Sequence, residues 1–118
     1  MSTNLATLQR MIVVVFKYLI PRGFQGWVLF PFVLLRERKL LKNPVFMNHE
    51  RIHLRQQLEL LVLPFFIWYG IEYIFRLIQY RNRYQAYLNI SFEMEAYKNE
   101  TAFDYLGQRR FFSFIKYF

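Results

Sequence analysis

The chain has 118 residues, a length that predicts one domain over residues 1–118. Hydrophobic residues make up 55% of the chain and aromatic residues 21%, which excludes an intrinsically disordered protein. Because the chain has no cysteine, a disulfide scaffold, an iron–sulfur cluster and a cysteine nucleophile are excluded as well.

The net charge of +8 indicates an anionic partner. Proteins that bind nucleic acids usually cluster lysine and arginine on a polar face, whereas here these residues are spread among phenylalanine, tyrosine and leucine. We therefore expect a membrane surface as the partner and no nucleic acid. The apolar runs 11–20 and 60–71 are shorter than the roughly 20 residues of a spanning helix, so they predict buried core or segments in the membrane interface.

Two strands are predicted near the N-terminus. Residues 11–19 are rich in β-branched and aromatic side chains, which favour a strand. The loop 21–26 contains proline and two glycines and is typical of a turn. Residues 27–35 predict a second strand, and Pro31 places it at a sheet edge. We expect a two-stranded hairpin; the alternative is a hydrophobic helix over residues 4–20.

Three helices are predicted in the rest of the chain. Apolar residues at helical spacing predict the first over residues 46–63, and Pro64 then kinks the chain or starts a new helix. Residues 65–80, apolar almost all round, continue as the second helix. The third covers residues 84–106 and ends at Gly107, which acts as its C-cap.

The first predicted helix carries an H-E-x-x-H motif formed by His49, Glu50 and His53. Asn43 or Asn48 is the candidate cap at its start. Four residues advance a helix by about 400°, so both imidazoles lie on one face and can bind one Zn²⁺. Glu50 is then placed to act as general base on a water. The alternative is that the two histidines cap the helix or lie satisfied in the core.

A hydrolytic zinc site needs three protein ligands and a water. The chain has only two histidines and no cysteine, so the third ligand has to be a carboxylate. The downstream candidates are Glu59, Glu72, Glu93, Glu95, Glu100 and Asp104. Glu93 shares a helix face with Ala96 and Glu100, and the small alanine lets this helix approach the metal. We favour Glu93 over Glu95; the alternative for both is a solvent-exposed helix face.

The H-E-x-x-H motif, followed by Glu93 on a later helix, resembles the gluzincin metallopeptidases. The spacing from Glu93 to Ala96 is similar to the E-x-x-A-D motif of peptidase family M48, and the arrangement is also similar to family M56. The run 49–57 resembles the H-E-x-x-H-x-x-Q-Q of small, uncharacterised bacterial proteins that are predicted to be zinc peptidases.

This resemblance implies a fold and a mechanism. In gluzincins two histidines and a distant glutamate hold zinc, and the motif glutamate, here Glu50, polarises the attacking water. An edge strand of the family binds extended substrate, and the predicted strand 27–35 is its candidate counterpart. Where the family motif has an aspartate that orients a zinc-bound histidine, this chain has Tyr97. Glu100, Asp104 or a backbone carbonyl is expected in that role.

Further expectations concern side chains around the motif. Candidates to stabilise an oxyanion are Tyr84, Tyr87 and Tyr97. Gln56 and Gln57 either hydrogen-bond to the metal ligands or form a polar helix flank, and we favour the flank. Glu72 and Arg76 have the i,i+4 spacing of an ion pair.

The sequence therefore predicts an α+β, mostly helical fold with an N-terminal β-hairpin, the motif helix, a hydrophobic helix and a glutamate-bearing helix. The predicted function is that of a membrane-associated zinc metallopeptidase. Its ligands are His49, His53 and Glu93, and its catalytic base is Glu50. We expect a peptide or protein substrate and a membrane surface or membrane-protein complex, at the bacterial inner membrane with the site on the cytoplasmic side. The alternative is a non-catalytic accessory subunit of a membrane protein complex that keeps a peptidase-like zinc site.

Overall fold

The computed structural model describes residues 11–118. A three-stranded sheet comes first, built from β1 (Ile12–Val15), β2 (Gly26–Leu29) and β3 (Phe32–Leu35). The central strand β3 pairs with β1 in parallel and with β2 in antiparallel orientation. Helices make up most of the remaining chain, which confirms the predicted α+β, mostly helical fold class.

The strand pairing differs from the predicted hairpin. The predicted single strand over residues 27–35 is two strands, β2 and β3, and these two form the hairpin. Pro31 has no N–H to donate to a ladder, so the chain reverses there, and its carbonyl accepts a hydrogen bond from Ile12 N at 2.8 Å. The reversal makes β1 parallel to β3. The alternative helix over residues 4–20 is wrong for β1, and its first residues lie outside the described part of the chain.

The two longest helices are α1 (Pro44–Leu60) and α2 (Val62–Tyr80), which confirms both predicted helices with shifted ends. Asn43 is the cap of α1: its Oδ1 accepts a hydrogen bond from a backbone N–H of the first turn at 3.0 Å. The chain breaks at Leu61, where φ is 63°. Pro64 lies in the first turn of α2, where the backbone nitrogen has no intrahelical partner to lose.

A bend of 110° separates α1 from α2. It lets α2 pack against α1 on one side and against the following short helix on the other. Within residues 11–118 no single helix is long and apolar enough to cross a membrane, whereas α1 and α2 pass that test of length and composition as a bent pair.

The predicted third helix over residues 84–106 is wrong as a single element. Three short helices replace it: α3 (Arg83–Leu88), α4 (Ser91–Asn99) and α5 (Tyr105–Gln108). Glu72 explains the first break, because its Oε2 accepts hydrogen bonds from Ser91 N and Oγ at 2.7 and 2.8 Å and so starts α4. Asn48 explains the second, because its Nδ2 donates to three carbonyls at and beyond the end of α4 at 2.9–3.2 Å. Gly107 lies within α5 and caps no longer helix.

The predicted ion pair between Glu72 and Arg76 is also wrong. Glu72 is buried at the start of α4 and bonds to Ser91. Arg76 instead donates to Gln79 at 2.8 Å. The carboxylate of Glu72 is therefore used to position the helix that carries Glu93.

Two hydrophobic clusters hold these elements together. The first lies between the sheet and α1, and its buried members are Val28, Val33, Leu35, Leu40, Met47, Ile52, Leu54, Ala96 and Leu106. The second joins α2, α4 and the 3₁₀ helix Ser113–Tyr117, and its buried members are Phe65, Ile90, Phe92 and Phe114. Together they fix α4 beside both α1 and α2.

A buried ionic network ties α1 and α4 to the C-terminal segment. Arg109 bonds Glu95 through Nε and Nη2 and bonds Glu59 through Nη1 at 2.7 Å. Arg55 adds a contact to Glu59 at 3.2 Å, and the Tyr105 hydroxyl donates to Glu95 at 2.5 Å. Because loss of one partner leaves a buried charge uncompensated, the network fixes the relative position of these segments.

Gln57 connects α1 to the hairpin. Its Oε1 accepts a hydrogen bond from Phe30 N and its Nε2 donates to Val28 O, both at 2.7 Å. The side chain is buried, so these two bonds satisfy backbone groups at the β2–β3 turn that water reaches poorly.

We expect Gln57→Leu to lower the free energy of unfolding by about 2–4 kcal/mol, because the Phe30 N–H and the Val28 carbonyl lose their partners. Urea denaturation measures the change. Gln85→Leu is the matched control: Gln85 is exposed, and its replacement should change the free energy by less than about 0.5 kcal/mol. Equal destabilisation by the two variants would contradict the role of Gln57.

Candidate metal centre

Three side-chain donor atoms from α1 and α4 converge on one point. His49 and His53 lie one turn apart on α1, and their Nε2 atoms are 3.1 Å apart. Glu93 on α4 places its Oε1 3.0 Å from His53 Nε2 and 3.4 Å from His49 Nε2. All three side chains are buried. The structure thus brings the three favoured ligands together and leaves Glu95 outside the group.

The spacing of these atoms fits a metal ion. Four ligands arranged tetrahedrally around zinc, with bonds of about 2.05 Å, lie about 3.3 Å from one another. The three observed separations are 3.0, 3.1 and 3.4 Å, and the group of His49, His53 and Glu93 could hold a metal ion. Three protein ligands leave a fourth position for water or substrate, which distinguishes catalytic from structural zinc sites.

The other nitrogen of each imidazole is hydrogen-bonded to an oxygen. His49 Nδ1 lies 2.8 Å from Glu100 Oε2, and His53 Nδ1 lies 2.8 Å from Gln56 Oε1. The Gln56 amide is oriented in turn, because its Nε2 donates to Glu95 Oε1 at 2.9 Å. Since carboxylate and amide oxygens accept, each Nδ1 carries a proton, so that a ring in its neutral form presents the lone pair of Nε2. Oxygen partners of this kind orient metal-binding histidines.

Among the expected substitutes for the family's aspartate, Glu100 is the residue that reaches a histidine. Asp104 instead accepts a hydrogen bond from Gln108 at 2.9 Å. Tyr97, which occupies the position of the aspartate, packs edge-to-face against His49 with ring centroids 4.4 Å apart. The orienting carboxylate therefore comes from about one turn further along the chain.

Helix α2 fixes the orientation of the Glu93 carboxylate. The Tyr69 hydroxyl donates to Glu93 Oε2 at 2.7 Å. Burial and the neighbouring Glu93 carboxylate raise the pKa of Tyr69 well above its usual value, so the hydroxyl keeps its proton. Glu93 Oε1 is thereby the oxygen that faces the imidazoles.

Opposite charges couple His53 to Glu93. Burial by itself lowers the pKa of His53, but the Glu93 carboxylate, together with Glu50 and Gln56, outweighs burial and the pKa rises to about 9. Burial by itself raises the pKa of Glu93, but the two imidazoles outweigh burial and hold the pKa well below its usual range. In the metal-free protein His53 is therefore cationic at neutral pH, and its proton balances the charge of Glu93.

Glu50 is buried and lines a cleft beside His49. Its Oε2 has no hydrogen-bond partner among residues 11–118. Burial raises the pKa of Glu50, although the charges of His53 and His49 oppose the rise. A carboxylate oxygen without a partner is available to take a proton from a molecule bound in the cleft.

The cleft has a volume of about 700 Å³. The loop 22–26 lies along one part of it, and the three tyrosines named as oxyanion candidates, Tyr84, Tyr87 and Tyr97, line another. The hydroxyls of Tyr87 and Tyr97 are 2.9 Å apart. One of these hydroxyls donates to the other, so the proton of the accepting hydroxyl remains available to a bound molecule.

The other candidate carboxylates have different partners. Glu95, the alternative third ligand, accepts hydrogen bonds from Arg109 and Tyr105. Glu59 is held by Arg109 as well, and Glu72 caps α4. These three carboxylates therefore hold the framework around the centre together.

Two contacts of the centre did not follow from the motif. The polar-flank interpretation of Gln56 and Gln57 is wrong, since both side chains are buried and fully engaged. Gln56 lies three residues after His53 on the same helix face, and this spacing could have predicted their hydrogen bond. The contact between Tyr69 and Glu93 could not be predicted from sequence spacing, because it depends on the bend between α1 and α2.

A search of protein-family models, curated proteins and solved structures finds no match for this chain. The likeness to gluzincins therefore rests on the motif residues alone. The function has to be inferred from the geometry and chemistry of the site.

We expect His53 to titrate with a pKa of about 9 in the metal-free protein. In Glu93→Gln the pKa should fall, because Glu93 provides the largest of the contributions that oppose burial. Nuclear magnetic resonance of the imidazole C–H groups measures both values, and the chain has only two histidines to assign.

Because the pKa of His53 is raised, the metal-free protein should become less stable as the pH rises. The protonated His53 stabilises the metal-free fold fully below pH 6.5, and this stabilisation is lost as the pH rises through about 9. Glu37→Gln, at a surface carboxylate, is the control and should leave the titration unchanged. The same His53 pKa in wild type and in Glu93→Gln would rule out the coupling.

Proposed function

We propose that this chain is a zinc-dependent metallopeptidase that hydrolyses peptide bonds. One observation carries the proposal: two imidazole nitrogens and a carboxylate oxygen converge at 3.0–3.4 Å beside Glu50, a buried glutamate with an unpartnered oxygen. Two histidines and a glutamate, with a fourth position left for water, form the ligand set of well-known zinc metallopeptidases.

Zinc suits this donor set better than other common metals. Calcium and magnesium prefer sites made of oxygen atoms, whereas two of the three donors here are imidazole nitrogens. Copper(I) and iron–sulfur clusters favour thiolate or thioether ligands, and the chain has no cysteine. When bound, Zn²⁺ supplies a Lewis acid that lowers the pKa of a water and polarises the scissile carbonyl.

Glu50 is the general base in this proposal. Its raised pKa favours uptake of a proton from the attacking water and release of that proton to the leaving amine. Glu100 and Gln56 keep His49 and His53 in the tautomer that presents Nε2. The hydroxyl pair of Tyr87 and Tyr97 supplies the hydrogen-bond donor for the oxyanion.

The sheet offers a place for an extended substrate. Strand order β1–β3–β2 leaves one edge of β2 unpaired within the described residues. Gly26, the first residue of β2, lines the cleft. A peptide added to this edge would run alongside Glu50, with main-chain hydrogen bonds holding it. Within the predicted strand 27–35, the part that forms β2 is therefore the one suited to bind substrate.

We expect wild type purified under metal-replete conditions to hold about one zinc per chain. Glu50→Gln should retain it, whereas His53→Ala and Glu93→Gln should lose it, because each removes a ligand. Mass-spectrometric metal analysis gives the stoichiometry.

The variants Glu37→Gln, Glu50→Gln and Glu93→Gln form a matched series, since each replaces one carboxylate by an amide. Loss of zinc in Glu93→Gln alone would support the ligand assignment. Wild type without stoichiometric metal would overturn the peptidase proposal and favour the accessory-subunit alternative.

In a peptide-library cleavage assay, Glu50→Gln should lower kcat/KM by at least about 100-fold at unchanged zinc content. Because the base form of Glu50 is required, activity should fall as the pH drops below its raised pKa. Chelation should abolish cleavage, and added zinc should restore it. A zinc-loaded wild type that cleaves no peptide would contradict the catalytic role and leave a structural zinc site.

A further inference from the structure

The helix α2 is apolar on two opposite faces, and the described structure covers only one of them. Phe65 and Tyr69 pack into the core. The opposite face carries six large apolar side chains, here called the outer face, with exposed fractions of 55–73%: Leu63, Ile67, Ile71, Ile74, Phe75 and Ile78. A helix that is apolar all round is normally buried on all sides. The outer face therefore calls for a partner.

Other partly exposed aromatic side chains lie near the first turn of α2. Trp27 packs edge-on against Phe66, with ring centroids 6.5 Å apart, and its indole N–H donates to the carbonyl of the exposed Leu19 at 2.9 Å. From Leu63 to Ile78 the outer face extends about 23 Å along the helix.

The charge exposed by residues 11–118 is mostly positive. Five of the eight carboxylates have buried side chains in the centre and its framework: Glu50, Glu59, Glu72, Glu93 and Glu95. Among residues 11–118 the other carboxylates are Glu37, Asp104 and the partly covered Glu100, against fifteen lysines and arginines of which Arg55 and Arg109 are buried. The net charge of +8 therefore understates how basic the surface is.

Basic residues also flank the outer face itself. Lys17 lies two residues before Leu19, and Arg81 follows the last turn of α2; both are exposed. Exposed apolar side chains bordered by cations match the two layers of an anionic membrane surface, with acyl chains below and phosphate groups above. A protein partner would not require the rest of the surface to be basic.

We propose that the outer face of α2 docks on an anionic lipid bilayer, with the helix lying in the plane of the interface. The isoleucines insert among the acyl chains, and Lys17 and Arg81 contact the lipid phosphates. This proposal does not depend on catalysis. It places the metal centre about one helix diameter, ~10 Å, from the lipid, because Tyr69 on the inner face of α2 contacts Glu93.

Co-sedimentation of the full chain with vesicles tests the proposal. Wild type should bind vesicles of phosphatidylglycerol and phosphatidylcholine at least about tenfold more tightly than pure phosphatidylcholine, with affinity falling as salt rises. The triple variant Ile71→Ser/Ile74→Ser/Ile78→Ser should bind about 100-fold more weakly. The control Leu41→Ser/Phe103→Ser removes exposed apolar side chains outside α2 and should bind like wild type.

Circular dichroism and urea denaturation show whether each variant is folded. The lipid and salt dependence of wild type tests the proposal without any substitution. Equal affinity of wild type for neutral and anionic vesicles would overturn it. So would equal binding by the triple variant and wild type. A wild-type dimer that binds no vesicles and that the triple variant converts to monomer would assign the outer face to a second copy of the chain instead.

Discussion

The structure depends on one electrostatic constraint, the repulsion among three electron-rich atoms held inside the protein. His49 Nε2, His53 Nε2 and Glu93 Oε1 lie within 3.4 Å of one another in a buried site. Such a group is unstable unless a positive charge lies between the atoms, either a proton or a metal ion. The surrounding helices hold it in place: α1 spaces the imidazoles, α4 brings the carboxylate, and Tyr69 of α2 fixes its orientation.

Buried charge also organises the second layer around this group. The link runs from His53 through Gln56 to Glu95 and Arg109, by hydrogen bonds between buried side chains. Buried ion pairs contribute little net stability, because desolvation offsets most of their attraction. Their effect here is geometric: Gln56 cannot rotate its amide without losing Glu95, so the orientation of His53 is fixed by residues outside the group of three donors. The same arrangement draws carboxylates inward and leaves the surface to lysine and arginine.

Local spacing was enough to predict the parts of the site that lie on one helix. The four-residue interval between His49 and His53 fixes their common face, and Asn43 before a proline marks the helix start. The choice of Glu93 followed from helix periodicity. The break of the third helix did not, because it is caused by Glu72 and Asn48 from other elements. The parallel pairing of β1 likewise arises from the chain reversal at Pro31 and not from local strand propensity.

The sequence separation of the contacts in the centre determines the order of its assembly. His53 and Glu93 are 40 residues apart, and Glu59 and Arg109 are 50 residues apart. During synthesis α1 therefore leaves the ribosome with both imidazoles before the glutamate and the arginine have been added. The isolated motif helix offers a passing ion only two ligands. Binding of a metal ion by all three donors would therefore have to follow loop closure, and a chain that folds without metal would hold a proton in that place.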